Sequence, residues 1–185
     1  MERERQQGFA VWITGLPASG KSTVTAALAR QLRELGVEAA VLESDELRRI
    51  FSARPTYDDQ DREYFYGSLA FIGRMLTEHG ISVIFDATAN RRSYRDRARR
   101  TIPRFLEVFV DCPLETCIDR DPKGIYRKAR EGYAGHVPGL KAAYEPPENP
   151  DVVIRGDRDD PGDAARRVID AIARRGFCNY SDGES

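Results

Sequence analysis

Five short apolar runs, Phe9–Thr14, Ala39–Leu42, Ser82–Phe85, Leu106–Val110 and Val152–Ile154, interrupt an otherwise polar chain. Runs of this length, nearly continuous and closed by turn residues, predict strands buried on both faces. Between them apolar positions recur every three or four residues, which predicts helices over Ser22–Leu35, Asp61–His79, Tyr94–Thr101, Leu114–Arg120 and Asp163–Arg174. Strand and helix alternate, so the expected fold is α/β: a five-stranded parallel sheet flanked by helices, with right-handed crossovers. The 185 residues suit one domain over residues 1–178, followed by a polar tail, Asn179 to Ser185.

The first strand leads straight into Gly15-Leu16-Pro17-Ala18-Ser19-Gly20-Lys21-Ser22, a complete G-x-x-x-x-G-K-[ST] loop, and the first helix follows it. That placement between strand and helix is what a phosphate-binding loop needs. Its glycines let backbone N–H groups turn toward phosphate oxygens, and the helix N-terminus favours negative charge. Lys21 is suited to the β- and γ-phosphates and the Ser22 hydroxyl to Mg²⁺. The sheet is therefore expected to be of the P-loop NTPase kind, binding a nucleoside triphosphate.

In parallel sheets ligands sit beyond the carboxyl ends of the strands. Besides the loop, those ends carry Glu43-Ser44-Asp45, Asp86-Ala87-Thr88 and Asp111. Two roles stay open for Asp45: accepting the proton of an attacking hydroxyl, or capping the helix that follows. Asp86 has two as well, sharing that catalytic role or hydrogen-bonding the phosphate loop. The stretch from Asp121 to Pro150 is rich in Gly, Pro and cations and has no strand pattern. Lys123, Arg127, Lys128 and Arg130 suit a lid closing over phosphates, or else a solvated basic helix.

Charge adds little: 29 Lys+Arg against 30 Asp+Glu predicts neither nucleic-acid nor membrane attachment, and neither partner is expected. Six arginines fall between Arg91 and Arg100, but Asp96 interrupts them and helical spacing spreads them around a cylinder. Cys112, Cys117 and Cys178 have no metal-ligand spacing, and Met1 to Gln7 is charged rather than leader-like. A reducing, cytoplasmic setting is expected. Trp12 reads as core, and His136 is assigned no chemistry.

Several stretches together resemble the adenylylsulfate kinase family. Leu42-Glu43-Ser44-Asp45-Glu46-Leu47-Arg48 is similar to its L-D-G-D-N-[IV]-R, Asp61-Arg62-Glu63 to its D-R-E, and Tyr144 to Pro150 to its Y-E-x-P-E-N-P. Arg95 to Arg99, Glu107 to Glu115 and Arg120 to Arg130 also match. The resemblance implies a kinase that uses MgATP to phosphorylate the 3′-hydroxyl of adenosine 5′-phosphosulfate, a small nucleotide-like acceptor, in sulfate assimilation, often as a homodimer. It implies Thr23 and Arg120 at the donor nucleotide, with Asp45, Arg48, Tyr57, Arg62 and Lys123 at the acceptor.

The departures concentrate on the acceptor side. Phe65 stands in place of a polar acceptor contact, and Gly67 and Ser68 in place of two arginines. The family's I-S-P-Y-R becomes Thr88-Ala89-Asn90-Arg91-Arg92, which keeps only the last arginine, Arg92, for substrate. Its lid K-G-F-T-G-I-D becomes Gly135 to Lys141. Ser82 to Arg91 is also similar to the D-A-T-N segment of polynucleotide-kinase-like enzymes. Three readings stay open beside the leading one: a kinase of another nucleotide- or sugar-type acceptor, a nucleotide-binding regulatory module, and a polynucleotide kinase.

Overall fold

The structure, a computed structural model, describes residues 7–52, 55–132 and 136–178. The expected tail, residues 179–185, and the lid position Gly135 lie outside the described residues. All five expected strands form: β1 (Ala10–Thr14), β2 (Ala39–Glu43), β3 (Ser82–Asp86), β4 (Phe105–Asp111) and β5 (Val152–Arg155). They make one parallel sheet in the order β2-β3-β1-β4-β5. The helices are α1 (Lys21–Glu34), α2 (Ser44–Phe51), α3 (Asp59–Glu78), α4 (Arg92–Thr101), α5 (Leu114–Arg120), α6 (Ile125–Arg130) and α7 (Pro161–Arg174).

Central β1 is buried along its whole length, and its alternating side chains serve two cores. Phe9, Val11 and Ile13 meet α1 and α7 through Leu28, Leu32, Val168 and Ile172. Ala10 and Trp12 meet α3 and α4 through Phe65, Leu69, Tyr94 and Ala98. Trp12 stacks on Phe85 with ring centroids 4.5 Å apart and donates its indole N–H to Ala87 O at 3.1 Å, so the core also holds the first residue after β3. Burial on both faces holds for β1 and β3 but not for the edges. Val41 of β2 is largely exposed, and β5 alternates, with Val152 and Ile154 in and Val153 out. An edge strand has a neighbour on one side only, so helices cover it incompletely.

Two helices were not among those the periodicity predicts. In α2 only Arg48 is buried, and α6 is six residues long inside the basic segment. Helix α3 begins two residues earlier than expected because the Asp58 carboxylate accepts the Asp61 N–H, capping its first turn. α4 likewise begins at Arg92, ahead of its apolar positions.

Gly73 shows how closely α3 lies on the sheet. A Cβ there would fall 2.1 Å from Cζ of Phe85, whose ring is fixed against Trp12. Gly73→Ala is therefore expected to destabilise despite its better helix propensity. Overpacking at about 1–3 kcal/mol less a helix gain of about 1 leaves a net loss of up to about 2 kcal/mol. Urea unfolding measures it, and a raised midpoint contradicts the contact.

Candidate active site

The chain leaves β1 through Gly15, whose φ of +155° and close approach to Val110 O (2.5 Å from a Cβ placed there) admit no side chain. It re-enters regular structure at Gly20, φ +105°, the N-cap of α1, with no side chain bonded over the helix end. The first-turn N–H groups of α1 are thus left to a ligand, as an anion cradle requires. The Ser19 hydroxyl is buried without a partner in the same loop. Gly156, after β5, closes on the loop so tightly that a Cβ would lie 2.1 Å from Ser19 O.

A cleft of about 560 Å³ opens over this loop, lined among others by Lys21, Ser22, Asp45, Asp86, Arg120 and Lys123. Lys21 is 8% exposed and donates to Gly15 O (3.2 Å) and Leu16 O (2.8 Å). Burial pulls its pKa down, and the nearby Asp86 and Asp45 carboxylates oppose that pull. Asp86, buried at the end of β3, lines the same cleft. Ser22 is exposed to the cleft with both carboxylates. A hydroxyl, two carboxylates and phosphate oxygens are the hard donors that suit Mg²⁺, so the residues present fit a metal-bound triphosphate.

Asp45 lies in the first turn of α2, but the N-cap position is Glu43 and no side chain caps the helix. Its carboxylate instead accepts from Lys123 Nζ at 2.6 Å, with Glu43 Oε1 at 3.8 Å from the same ammonium. The Asp45 bond pushes the Lys123 pKa up. This pair ties the basic segment to the strand exits. Arg120, at the end of α5, donates to Gly156 O at 2.8 Å on the cleft's far side, and Thr23 lines the cleft too.

A second cluster gathers Arg48, Tyr57, Arg62 and Phe65. The Arg48 guanidinium lies 3.9 Å from the Phe65 ring centroid and 4.9 Å from that of Tyr57, and pairs with Asp61 at 2.6 Å. Tyr57 is held at φ +58°, an uncommon backbone state for a bulky residue, and its carbonyl accepts from Arg62 Nε at 2.8 Å. Arg62 is 5% exposed, and burial lowers its pKa. Its other bonds go to Asn90 Oδ1 and His136 O, both at 2.6 Å, so every bonded partner is a neutral oxygen.

Arg92 stands apart, paired with Glu145 at 3.8 Å and with Glu148. Asp111 turns to a separate cavity beside Phe109 and Tyr144 and pairs with Arg155 at 3.8 Å. His136 enters through its backbone carbonyl alone. Asn90 and Glu145, which sequence reasoning passed over, join the acceptor-side loop to the returning lid. Only the three-dimensional pairing shows this, since neither lies in a motif that implies it.

A parallel sheet with a phosphate loop at the end of its central strand, roofed by a basic segment, defines a P-loop kinase. The family model for adenylylsulphate kinase matches residues 7–155. An adenylyl-sulfate kinase from Synechococcus sp. (strain JA-2-3B'a(2-13)) is 40% identical over 172 residues, 93% of this chain and 98% of that protein. One from Halothermothrix orenii is 36% identical over 177 residues, 96% of each. The Mycobacterium tuberculosis APS kinase CysC, solved in complex with AMPPNP and APS, superposes with a TM-score of 0.85 at 37% identity, covering 90% of this chain and 98% of that one. The chain belongs to the adenylylsulphate kinase family.

Proposed function

We propose that this protein transfers the γ-phosphoryl group of MgATP to the 3′-hydroxyl of adenosine 5′-phosphosulfate. The observation that carries this reading is the Asp45–Lys123 pair, which stands in the phosphate cleft with Lys21 and Ser22 while Arg48 and Arg62 lie on the acceptor side. Phosphoryl transfer asks the protein mainly for in-line positioning and neutralisation of charge on the transferred group. The loop backbone holds the phosphates, Lys21 neutralises the developing charge, and Arg120 borders the donor nucleotide. Mg²⁺, held by Ser22 and the phosphates, adds electrostatic stabilisation when bound. Asp45 orients the attacking hydroxyl and takes its proton, and Lys123 holds that carboxylate in the cleft.

The test is ADP release from MgATP with and without adenosine 5′-phosphosulfate, with detection of a product one phosphoryl group heavier. Acceptor-dependent turnover supports the reading; ATP binding with no such product overturns the acceptor. Asp45→Asn is expected to lower kcat by about 10²–10⁴-fold, the usual contribution of a general base, with ATP affinity little changed. A variant that mainly melts earlier assigns Asp45 a structural place instead.

One observation favours a second acceptor class, another nucleotide or sugar-type hydroxyl. Arg48 is covered by Phe65 and neutralised by Asp61, which leaves it less able to read a phosphosulfate. A panel of nucleotide and sugar-phosphate acceptors separates the two. The reading also places the protein in the cytoplasm and pairs it as a homodimer, for which the exposed Tyr64, Phe71 and Met75 on α3 offer an apolar face. Among the described residues no helix is long and apolar enough to cross a membrane.

A further inference from the structure

Arg62 is a buried guanidinium whose bonds all go to neutral oxygens. Other buried arginines of this chain have carboxylates, as Arg48 has Asp61 and Arg95 has Glu107. A buried charge without a bonded counter-charge is costly, so its position depends on the oxygens that hold it. One of these is the side-chain carbonyl of Asn90, itself 4% exposed. The same amide donates from Nδ2 to Ala143 O at 2.9 Å, and the Asn90 backbone carbonyl accepts from Glu145 N at 2.8 Å.

The loop that presents Asn90 is fixed residue by residue. Ala87 O accepts from Trp12, Thr88 O from Thr14 Oγ1 at 2.6 Å, and Ala89 N–H donates to Tyr66 OH at 3.0 Å. Ala89 sits at φ +41° under these restraints, and its carbonyl accepts from Arg95. Asn90 is therefore a rigid bracket between Arg62 on α3 and the returning arm of the lid. Arg62 reaches that lid a second time through His136 O. The family stretch I-S-P-Y-R, in whose place Thr88 to Arg92 stands, has proline here and no amide to do this.

We propose that Asn90 is a positioning residue that holds the acceptor-side guanidinium of Arg62 and the lid arm around Ala143–Glu145 as one unit, so that acceptor binding and lid closure are coupled through its side-chain amide. The coupling rests on the acceptor reading given above; the bracket itself does not. An anionic acceptor supplies the counter-charge Arg62 lacks and draws on donors that now hold the lid. Asn90→Asp keeps an oxygen for Arg62, but it supplies an internal counter-charge and removes the donor to Ala143 O.

The test compares the full-length wild type, Asn90→Ala and Asn90→Asp by amide hydrogen exchange without ligand and by steady-state kinetics with adenosine 5′-phosphosulfate and ATP. Exchange over residues 143–145 is expected to quicken about tenfold or more in both variants, as local opening becomes easier. Acceptor KM is expected to rise about 10- to 100-fold, matching lost hydrogen bonds to a charged group, with the KM for ATP nearly unchanged. Asn90→Asp, although isosteric, is expected to be no better than Asn90→Ala in acceptor KM. Unchanged exchange in both variants overturns the bracket. Quicker exchange with unchanged acceptor KM, or restoration of acceptor KM by aspartate, overturns the coupling. If the wild type leaves adenosine 5′-phosphosulfate unphosphorylated, the acceptor assignment and the coupling built on it fail together, and the exchange comparison still decides the bracket.

Discussion

Lys21→Ala is expected to lower kcat about 10³-fold, the scale set by removing one preorganised stabiliser of transition-state charge, while the fold persists. The charge that spreads over the transferred phosphoryl oxygens needs a cation in a dry, prepared place. Lys21 is that cation: 8% exposed, with its ammonium held on the loop's own carbonyls Gly15 O and Leu16 O. The first-turn N–H groups of α1 remain in the variant, so ATP affinity falls much less than kcat. Stability separates this from a structural defect. Burial lowers the Lys21 pKa, which means that the folded protein holds the ammonium at a desolvation cost, only partly offset by Asp86 and Asp45. Alanine removes that cost, so Tm stays level or rises. Rate and Tm falling together would point to misfolding, and a near-normal rate removes Lys21 from the mechanism.

The same residue shows why part of this site is legible in the sequence. A phosphate loop is a local device: its glycines, its lysine and its flanking strand and helix are contiguous, so spacing alone reveals the geometry. The five strands are legible for a related reason, since a parallel sheet covered on both faces demands apolar runs wherever it lies deepest. Legibility fails where local signal and tertiary role part company. Helix α2 presents charge on most sides and buries only Arg48, and α6 is too short and too cationic to announce itself. On the acceptor side, Arg62 and Asn90 are 28 positions apart, and Asn90 and Ala143 are 53 apart. No periodicity joins such residues; β3 does, by delivering its exit loop between α3 and the lid. Asp45 belongs to both cases: its place at a strand exit is readable, but its choice of Lys123 over its own helix end is a long-range contact 78 residues away.

Beneath that loop lies the arrangement whose disruption should cost most stability. Arg95→Met is expected to destabilise the protein by about 3 kcal/mol, the lower end for breaking a buried charged pair. Arg95 is 1% exposed and donates to Glu107 Oε1 and to Glu145 O, both at 2.7 Å, and to Ala89 O. One side chain thus fastens α4 to β4, to the loop after β3 and to the end of the lid. Methionine fills much of the volume but satisfies none of these oxygens. Three effects set the size of the loss. Two carbonyls, Ala89 O in the core and the half-buried Glu145 O, lose a donor, at about 1 kcal/mol each. Glu107 loses one of two cations, retaining Arg99 at 2.9 Å, which keeps the cost below that of an orphaned carboxylate. The aliphatic stem is replaced, so packing contributes little. For a chain of this size about 3 kcal/mol corresponds to a Tm lower by roughly 6–12 °C, read by calorimetry. Acceptor KM should rise as well, because Ala89 and Glu145 flank the Asn90 bracket, while ATP affinity, set on the far side of β1, should hold. A Tm within 2 °C of wild type (roughly 1 kcal/mol or less) would mean that Arg99 and solvent replace Arg95, and that Trp12, Thr14, Tyr66 and the Asn90 bonds hold the acceptor loop without it.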